Sequence, residues 1–302
     1  MATLKGQNLR IGTLDTTTNK FTVYGMATSC SITITANTDS AKTKDDIGIA
    51  DKPEVTSKSW QASVESLSVA DVGALLTAMK NQQKLVLMWD ETSTTDNQTA
   101  LKAAFSRCGE AYLSDATFNF NNRENSSKSL QFTGAAPLST VPSATTTEVL
   151  SAGAYTKGQF VRLFISDVAS PANVIGAAQS LALHISLGLE SASTKDTSGD
   201  FDIQEPTTLN YDITSGALVR SGETITSSVS ADTLADFEDY QEGNDLLYWQ
   251  ICNVSGSNNR TKGSIIVSGR AYITQLQVDA AVSSNASYQA TLTGYGEYTV
   301  GA

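Results

Sequence analysis

The stretch "VIGAAQSLALHI" (174–185) repeats "VYGMATSCSITI" (23–34) at an offset of 151. Val23, Gly25, Ala27, Ser29 and Ile34 are matched by Val174, Gly176, Ala178, Ser180 and Ile185. The same offset carries "SAKTKD" (40–45) onto "SASTKD" (191–196). In a Ser/Thr-rich chain one such match is within reach of chance, so collinear company decides. "KGQNLR" (5–10) pairs with "KGQFVR" (157–162) at 152, and "GEAYLS" (109–114) with "GRAYIT" (269–274) at 160. "NSSKSLQFTG" (125–134) and "NASYQATLTG" (285–294) keep that last offset. Offsets that stay ordered and drift only through loops mark a tandem duplication, with copies expected over 1–138 and 157–302. Between them lies a linker, 139–156, whose "STVPSATTTEV" (139–149) has the small polar residues and proline of a semi-flexible connector.

Two copies allow each segment to be read twice. "CSITITA" (30–36) alternates Cys30, Ile32, Ile34 and Ala36 against Ser and Thr, and its counterpart supplies Leu181, Leu183, Ile185 and Leu187, which predicts a half-buried strand. A second strand places Trp60, Ala62 and Val64 on one face, with Tyr211 and Ile213 as counterparts. "SVADVGALLTAMKNQ" (68–82) predicts a helix capped by Ser68, with Asp71 in its first turn and Val72, Leu75, Leu76 and Met79 on its buried face. Its partner "TLADFEDYQEG" (233–243) has Thr233 and Asp236 in the capping roles, and Leu234 and Phe237 as anchors. "KLVLMW" (84–89) and "LLYWQI" (246–251) follow as buried strands. "TALKAAFSRCGEAYL" (99–113) looks helical from its alanines, yet its partner "NRTKGSIIVSGRAYI" (259–273) is β-branched with two glycines, so strand is expected for most of both. The fold expected is mainly β: two tandem β-sandwich or barrel domains, each with one flanking helix and one long inter-strand loop.

Composition excludes several classes. The 302 residues are 40% hydrophobic and 17% charged, enough to bury a core. No run of about 18 apolar residues is present to span a membrane as a helix, and residues 1–12 lack the order of a secretory leader. The net charge of −11 is uneven. Residues 1–156 carry 13 Lys+Arg against 15 Asp+Glu, and 157–302 carry 7 against 16. That balance argues against gripping nucleic acid, which needs clustered cations. Cys30, Cys108 and Cys252 have no metal-like spacing and are expected as free thiols.

Little in the chain points to catalysis, and neither an enzyme nor a cofactor or metal is expected. His184, the only histidine, falls on the polar face of its strand opposite Thr33 of the other copy and reads as solvated. No phosphate-binding glycine loop or nucleophile elbow occurs. "DTSGDFD" (196–202) resembles a calcium loop only loosely. The most distinctive shared feature is a loop of about 20 residues, from Asp39 to Lys58 and from Glu190 to Thr208. Each copy carries Thr-Lys-Asp (Thr43, Lys44, Asp45; Thr194, Lys195, Asp196), then a glycine and a proline (Pro53, Pro206), which favours an arm that reaches a neighbouring subunit.

This layout resembles the phage tail tube (major tail) proteins. The similar pieces are the "KGQ" start, the S-x-S-I-T-I strand, the "SA(K/S)TKD" loop, "SWQASVESL" (59–67), the helix, "CGEAYLSDATFNF" (108–120) and "SKSLQFTG" (127–134). The resemblance implies a structural virion protein that self-assembles into stacked hexameric rings around a lumen through which genomic DNA passes without specific binding. A doubled chain implies a pseudo-hexameric ring of three chains. Also implied are assembly in the bacterial host cytoplasm, a place in the virion tail, tape measure, tail terminator and distal tail proteins as partners, and no membrane anchoring. The six Thr, Lys and Asp residues of the two arms would make the contacts from ring to ring. The inner tube of a contractile injection apparatus is built on the same principle and stays open. A secreted β-sandwich adhesin is the reading from another class.

Overall fold

The computed structural model describes residues 6–67, 69, 71–92, 105–142, 146–149, 156–197, 199–219, 231–255 and 261–301. It is mainly β, as expected. The first half holds β1 (Leu9–Asp15), β2 (Lys20–Val23), β3 (Ala27–Ser40), β4 (Pro53–Ser66), α1 (Val72–Lys80), β5 (Leu85–Glu91), β6 (Arg107–Asn119) and β7 (Ser127–Gly134). After β8 (Ser139–Thr140) and β9 (Thr146–Val149) come β10 (Val161–Ser166), β11 (Asn173–Ile175), β12 (Ala178–Ser191), β13 (Gln204–Leu218), β14 (Ala231–Asp232), α2 (Leu234–Gly243), β15 (Leu247–Ser255), β16 (Thr261–Asp279) and β17 (Ser287–Val300). No helix among the described residues is long and apolar enough to cross a membrane.

The strand ladders run in the same order in both halves. In the first, antiparallel pairing gives β2–β1–β5–β6–β7–β4–β3. In the second it gives β11–β10–β15–β16–β17–β13–β12. Registers and irregularities correspond as well. The shift between Leu113 and Asp115 on β6 recurs between Ile273 and Gln275 on β16, and that between Ala27 and Ser29 recurs between Ala178 and Ser180. Irregularities of this kind re-aim strands and are features of a fold, not noise.

Each half seats one aromatic ring on a pair of glycines. Trp60 of β4 lies across Gly109 and Gly134, and a Cβ at Gly109 would stand 2.8 Å from its ring. Tyr211 of β13 lies across Gly269 and Gly294, where a Cβ at Gly294 would stand 2.5 Å from the ring. Each ring also donates a hydrogen bond to backbone: Trp60 Nε1–H to the Ala136 carbonyl at 2.8 Å, and the Tyr211 hydroxyl to that of Arg270 at 2.7 Å. Glycine is needed here because no other residue lets an aromatic face come so near the sheet.

Both expected helices form, with different starts. At α2 the Asp236 carboxylate accepts the Thr233 N–H at 2.7 Å and its hydroxyl at 2.8 Å, so Thr233 and Asp236 hold the capping roles expected of them. α1 is shorter than expected and begins after Asp71, whose carboxylate pairs with the buried Lys128 ammonium instead of capping. Ser68 lies outside the described residues. Val72, Leu75, Leu76 and Met79 are buried, as the helical spacing requires. α1 also reaches the second half: the Tyr298 hydroxyl donates to the Leu76 carbonyl at 2.7 Å, and Lys80 pairs with Glu297 at 3.4 Å. One apolar core accordingly includes residues of both halves, from Trp60, Leu76 and Phe132 to Tyr211, Trp249 and Leu292.

Three expectations need correction. The described residues of 139–156, expected as a semi-flexible connector, are tied to strands: β8 pairs with β6, and β9 runs parallel to β2, with Lys20 opposite Thr146 and Val23 opposite Val149, while 143–145 and 150–155 lie outside the described residues. The long loops are 12 residues, 41–52 and 192–203, because the flanking strands continue as two-stranded hairpins beyond the sheet. β3 is not half-buried like its counterpart: Leu181, Leu183, Ile185 and Leu187 are buried on β12, whereas Ile32 is half-buried and Ile34 is 64% exposed.

Candidate assembly edges

The two halves are joined by a strand seam. β12 lies antiparallel to the end of β6, with Ala182 opposite Asn119, Leu183 opposite Phe118, His184 opposite Thr117, Ile185 opposite Ala116 and Ser186 opposite Asp115. It continues through Phe120 N–H to the Leu181 carbonyl and Asn122 N–H to the Gln179 carbonyl, both at 2.8 Å. Leu183, Ile185, Ala116 and Phe118 are all buried by it. The seam makes the strands of both halves one continuous sheet.

His184 sits across that seam. Its Nδ1 is 2.7 Å from Asp212 Oδ2 on β13, and its Nε2 is 2.7 Å from Asp115 Oδ2 on β6. Burial favours the neutral ring, but the hydrogen bonds to Asp115 and then Asp212 outweigh it and raise the imidazole pKa above its ordinary value. The expectation of a solvated histidine is therefore corrected: it ties three strands and both halves together. The two hydrogen bonds link β12 to β13 on one side and to β6 on the other.

A second tie lies at the hairpin. The β12–β13 loop returns across β4: Lys58 N–H donates to the Asp200 carbonyl at 2.6 Å, and Asp202 N–H donates to the Lys58 carbonyl at 3.0 Å. The Lys58 ammonium then meets Asp200 Oδ2 at 3.1 Å. Neither residue was singled out from the sequence, since a lysine and an aspartate 142 positions apart in polar stretches give no signal of meeting.

The residues expected to carry the arms lie at the hairpin tips. Thr43, Lys44 and Asp45 are exposed, in a turn where Thr43 N–H donates to Asp46 Oδ2 at 2.7 Å. Thr194, Lys195 and Asp196 are exposed in the matching turn, where Thr194 N–H donates to Thr197 Oγ1 at 2.8 Å. Each set stays within its own turn, and none of the six touches the other half through a hydrogen bond or ion pair among the described residues. Gly48 and Gly199 hold the same later bend, with φ of 108° and 89°. No group of three or more His, Cys, Asp and Glu among the described residues is arranged to hold a metal; of "DTSGDFD", the Asp202 carboxylate accepts hydrogen bonds from the Ser191 and Ser193 hydroxyls, and Ser198 lies outside the described residues.

The seam leaves its two counterparts open. β3, which corresponds to β12, is paired by β4 alone among the described residues. The last residues of β16, which correspond to the β6 seam, are paired by β17 alone. Both open edges are apolar in part: Ile34 is 64% exposed and Val278 is 48% exposed.

No protein-family model and no curated protein matches the chain. Solved structures share a loose likeness over about half of it. The tail of an empty gene transfer agent particle, computed with helical refinement and C6 symmetry, gives a TM-score of 0.37 at 13% identity, over 49% of this chain and 99% of that one. The virion of the native gene transfer agent particle gives 0.36 at 11% identity over 49% and 99%. The SPP1 tail tube, from solid-state NMR and cryo-EM, gives 0.35 at 17% identity over 48% and 78%. A likeness this loose fixes neither fold nor role.

Proposed function

We propose that the chain is a structural subunit of a phage tail tube or a tail-derived particle, built of two tandem copies of one tube domain. In this reading three chains close a ring of six domains around a lumen that DNA traverses. The observation that carries it is the seam between β6 and β12, because among the described residues both halves of a second such seam lack a partner on that side. Carrying the seam register over the repeat places Ile32 of one copy opposite Val278 of the next, Thr33 opposite Gln277 and Ile34 opposite Leu276. Edges of this kind pair with another chain unless they are blunted, and a heterologous contact closes a ring when its rotation allows. The net charge of −11 would keep phosphates from adhering to the lumen. The exposed turns at 43–45 and 194–196 are then left free to meet the next ring.

Sedimentation velocity and negative-stain microscopy of the purified chain over a concentration series test the reading. Ring-shaped trimers or tubes of constant diameter are expected. A chain that stays monomeric at the highest concentration overturns it.

A further inference from the structure

We infer that the hairpin loop 41–52 of one chain docks through Ile49 on Leu209 of a second copy, and that this apolar pair, set against the ionic Lys58–Asp200 pair inside the chain, makes the two kinds of seam non-interchangeable. The inference rests on the ring reading above and adds the chemistry that decides which domain meets which.

The loop geometry is common to both halves at the single offset of 151. Ala41 N–H donates to the Lys52 carbonyl and Ala192 N–H to the Ile203 carbonyl, each at 2.8 Å, and Gly48 and Gly199 share their positive φ. The loop 192–203 is seated on β4 with Phe201 bridging Lys58 in parallel. At the same offset Lys58 corresponds to Leu209, Asp200 to Ile49, Phe201 to Ala50 and Asp202 to Asp51. The backbone edge at Leu209 is open on the side away from β12, because β13 pairs with β17 only from Asp212 onward, and the Leu209 side chain is half-buried against the core, leaving part of its apolar surface to be covered. The loop that would fill it carries Ile47 and Ile49, both fully exposed. In the seated pose the Leu209 N–H donates to the Ile49 carbonyl and the Asp51 N–H to the Leu209 carbonyl, as their counterparts do within the chain.

The side chains have changed together. Where the chain binds itself, a cation on the strand meets a carboxylate on the loop. Where it would bind a neighbour, an apolar residue stands at both places. The strand seams follow the same division, with Asp115, His184 and Asp212 inside the chain and Gln275, Thr33 and Gln61 at the matching positions outside. A first-half loop on a first-half strand would set Ile49 against the Lys58 ammonium. A second-half loop on a second-half strand would set the Asp200 carboxylate against Leu209. Both mismatches give up the matched pair and set an apolar side chain against a charged one, whereas the ionic pair, 53% and 54% exposed, and the apolar pair each keep their match when unlike halves alternate.

The test uses the full chain and follows assembly by sedimentation velocity. Ile49→Asp is expected to leave the circular dichroism spectrum and melting temperature unchanged, and to raise the concentration for half-assembly by roughly tenfold or more. Leu209→Lys alone is expected to impair assembly as well, and the double variant Ile49→Asp, Leu209→Lys to recover to within about threefold of the parent by recreating the ionic pair. As a second readout that needs no buried charge, Ile49→Cys with Leu209→Cys is expected to yield chains cross-linked in series on oxidation, with neither single variant doing so. If the parent assembles and Ile49→Asp assembles equally well, or if a folded double variant shows no recovery and the cysteine pair gives no cross-link, the docking is wrong while the ring reading stands. A parent that never assembles overturns both.

Discussion

Replacing His184 with glutamine should remove a stabilisation that depends on pH in a defined direction. The imidazole stands 2.7 Å from each of two carboxylates, Asp115 on β6 and Asp212 on β13. Nothing else charged faces it from β6, β12 or β13, whose neighbouring side chains on that face are Thr117, Ser186, Ala182, Asn210 and Thr214. Hydrogen bonds to charged partners contribute about 1.5–3 kcal/mol each when dry. Here His184 is 37% exposed and the two aspartates 37% and 40% exposed, so solvent screening reduces the pair to about 1.5 kcal/mol in all. Because the folded-state pKa is raised, this contribution is full below the unfolded pKa of about 6.5 and is lost as pH rises through the folded value. Urea denaturation of the parent and of His184→Gln at about pH 5.5, 7 and 8.5 should show a gap of about 1.5 kcal/mol at the acid end that closes toward the alkaline end. Asp232, whose pKa burial pushes up to about 7, also loses stability as pH rises, but it does so in both proteins and cancels in the difference. A gap that stays constant with pH, or widens on the alkaline side, would refute the clamp.

Three further outcomes are expected. Lys128→Met strands the Asp71 carboxylate in a site that is 13% exposed, and should cost about 3 kcal/mol in chemical denaturation, most of which the double variant with Asp71→Asn restores. Gly134→Ala and Gly294→Ala each force a methyl into an aromatic ring, and should each lower stability by about 1–3 kcal/mol in the same assay. Ile34→Lys, on the open edge of β3, should leave the melting temperature unchanged and raise the concentration needed for assembly roughly tenfold in sedimentation, with no effect if β3 stays free in the assembled state.

Much of the fold was legible because segments of similar sequence in the two halves could be read against one another. The stretch 99–113 reads as helix from its alanines alone and as strand beside "GSIIVSGRAYI"; its part from Arg107 onward is in the strand β6, Arg107–Asn119, while 99–104 lie outside the described residues. What escaped the sequence has physical reasons. The outer parts of β3 and β4 form a hairpin with no core on either side, so their exposed Ser, Thr and Glu show no apolar alternation, and the loops looked longer than they are. β8 and β9 are two and four residues long, too short for a period to register. His184, Asp115 and Asp212 each fall on the polar face of their own strand, which reads as solvent-facing until a third strand is laid alongside. Burial patterns misled on β3 for the opposite reason: its apolar residues match those of β12 in kind, and only the missing neighbour distinguishes Ile34 from Ile185.

The seam between β6 and β12 has a further consequence that lies in mass action. Its two strands belong to one molecule, so they meet at an effective concentration set by the intervening chain, not by the amount of protein present. Dilution cannot separate them, whereas it must separate any contact made with another copy. A concentration series therefore sorts the contacts of this protein into two classes without a mutation: those that persist to the lowest dilution, and those that melt away as copies part.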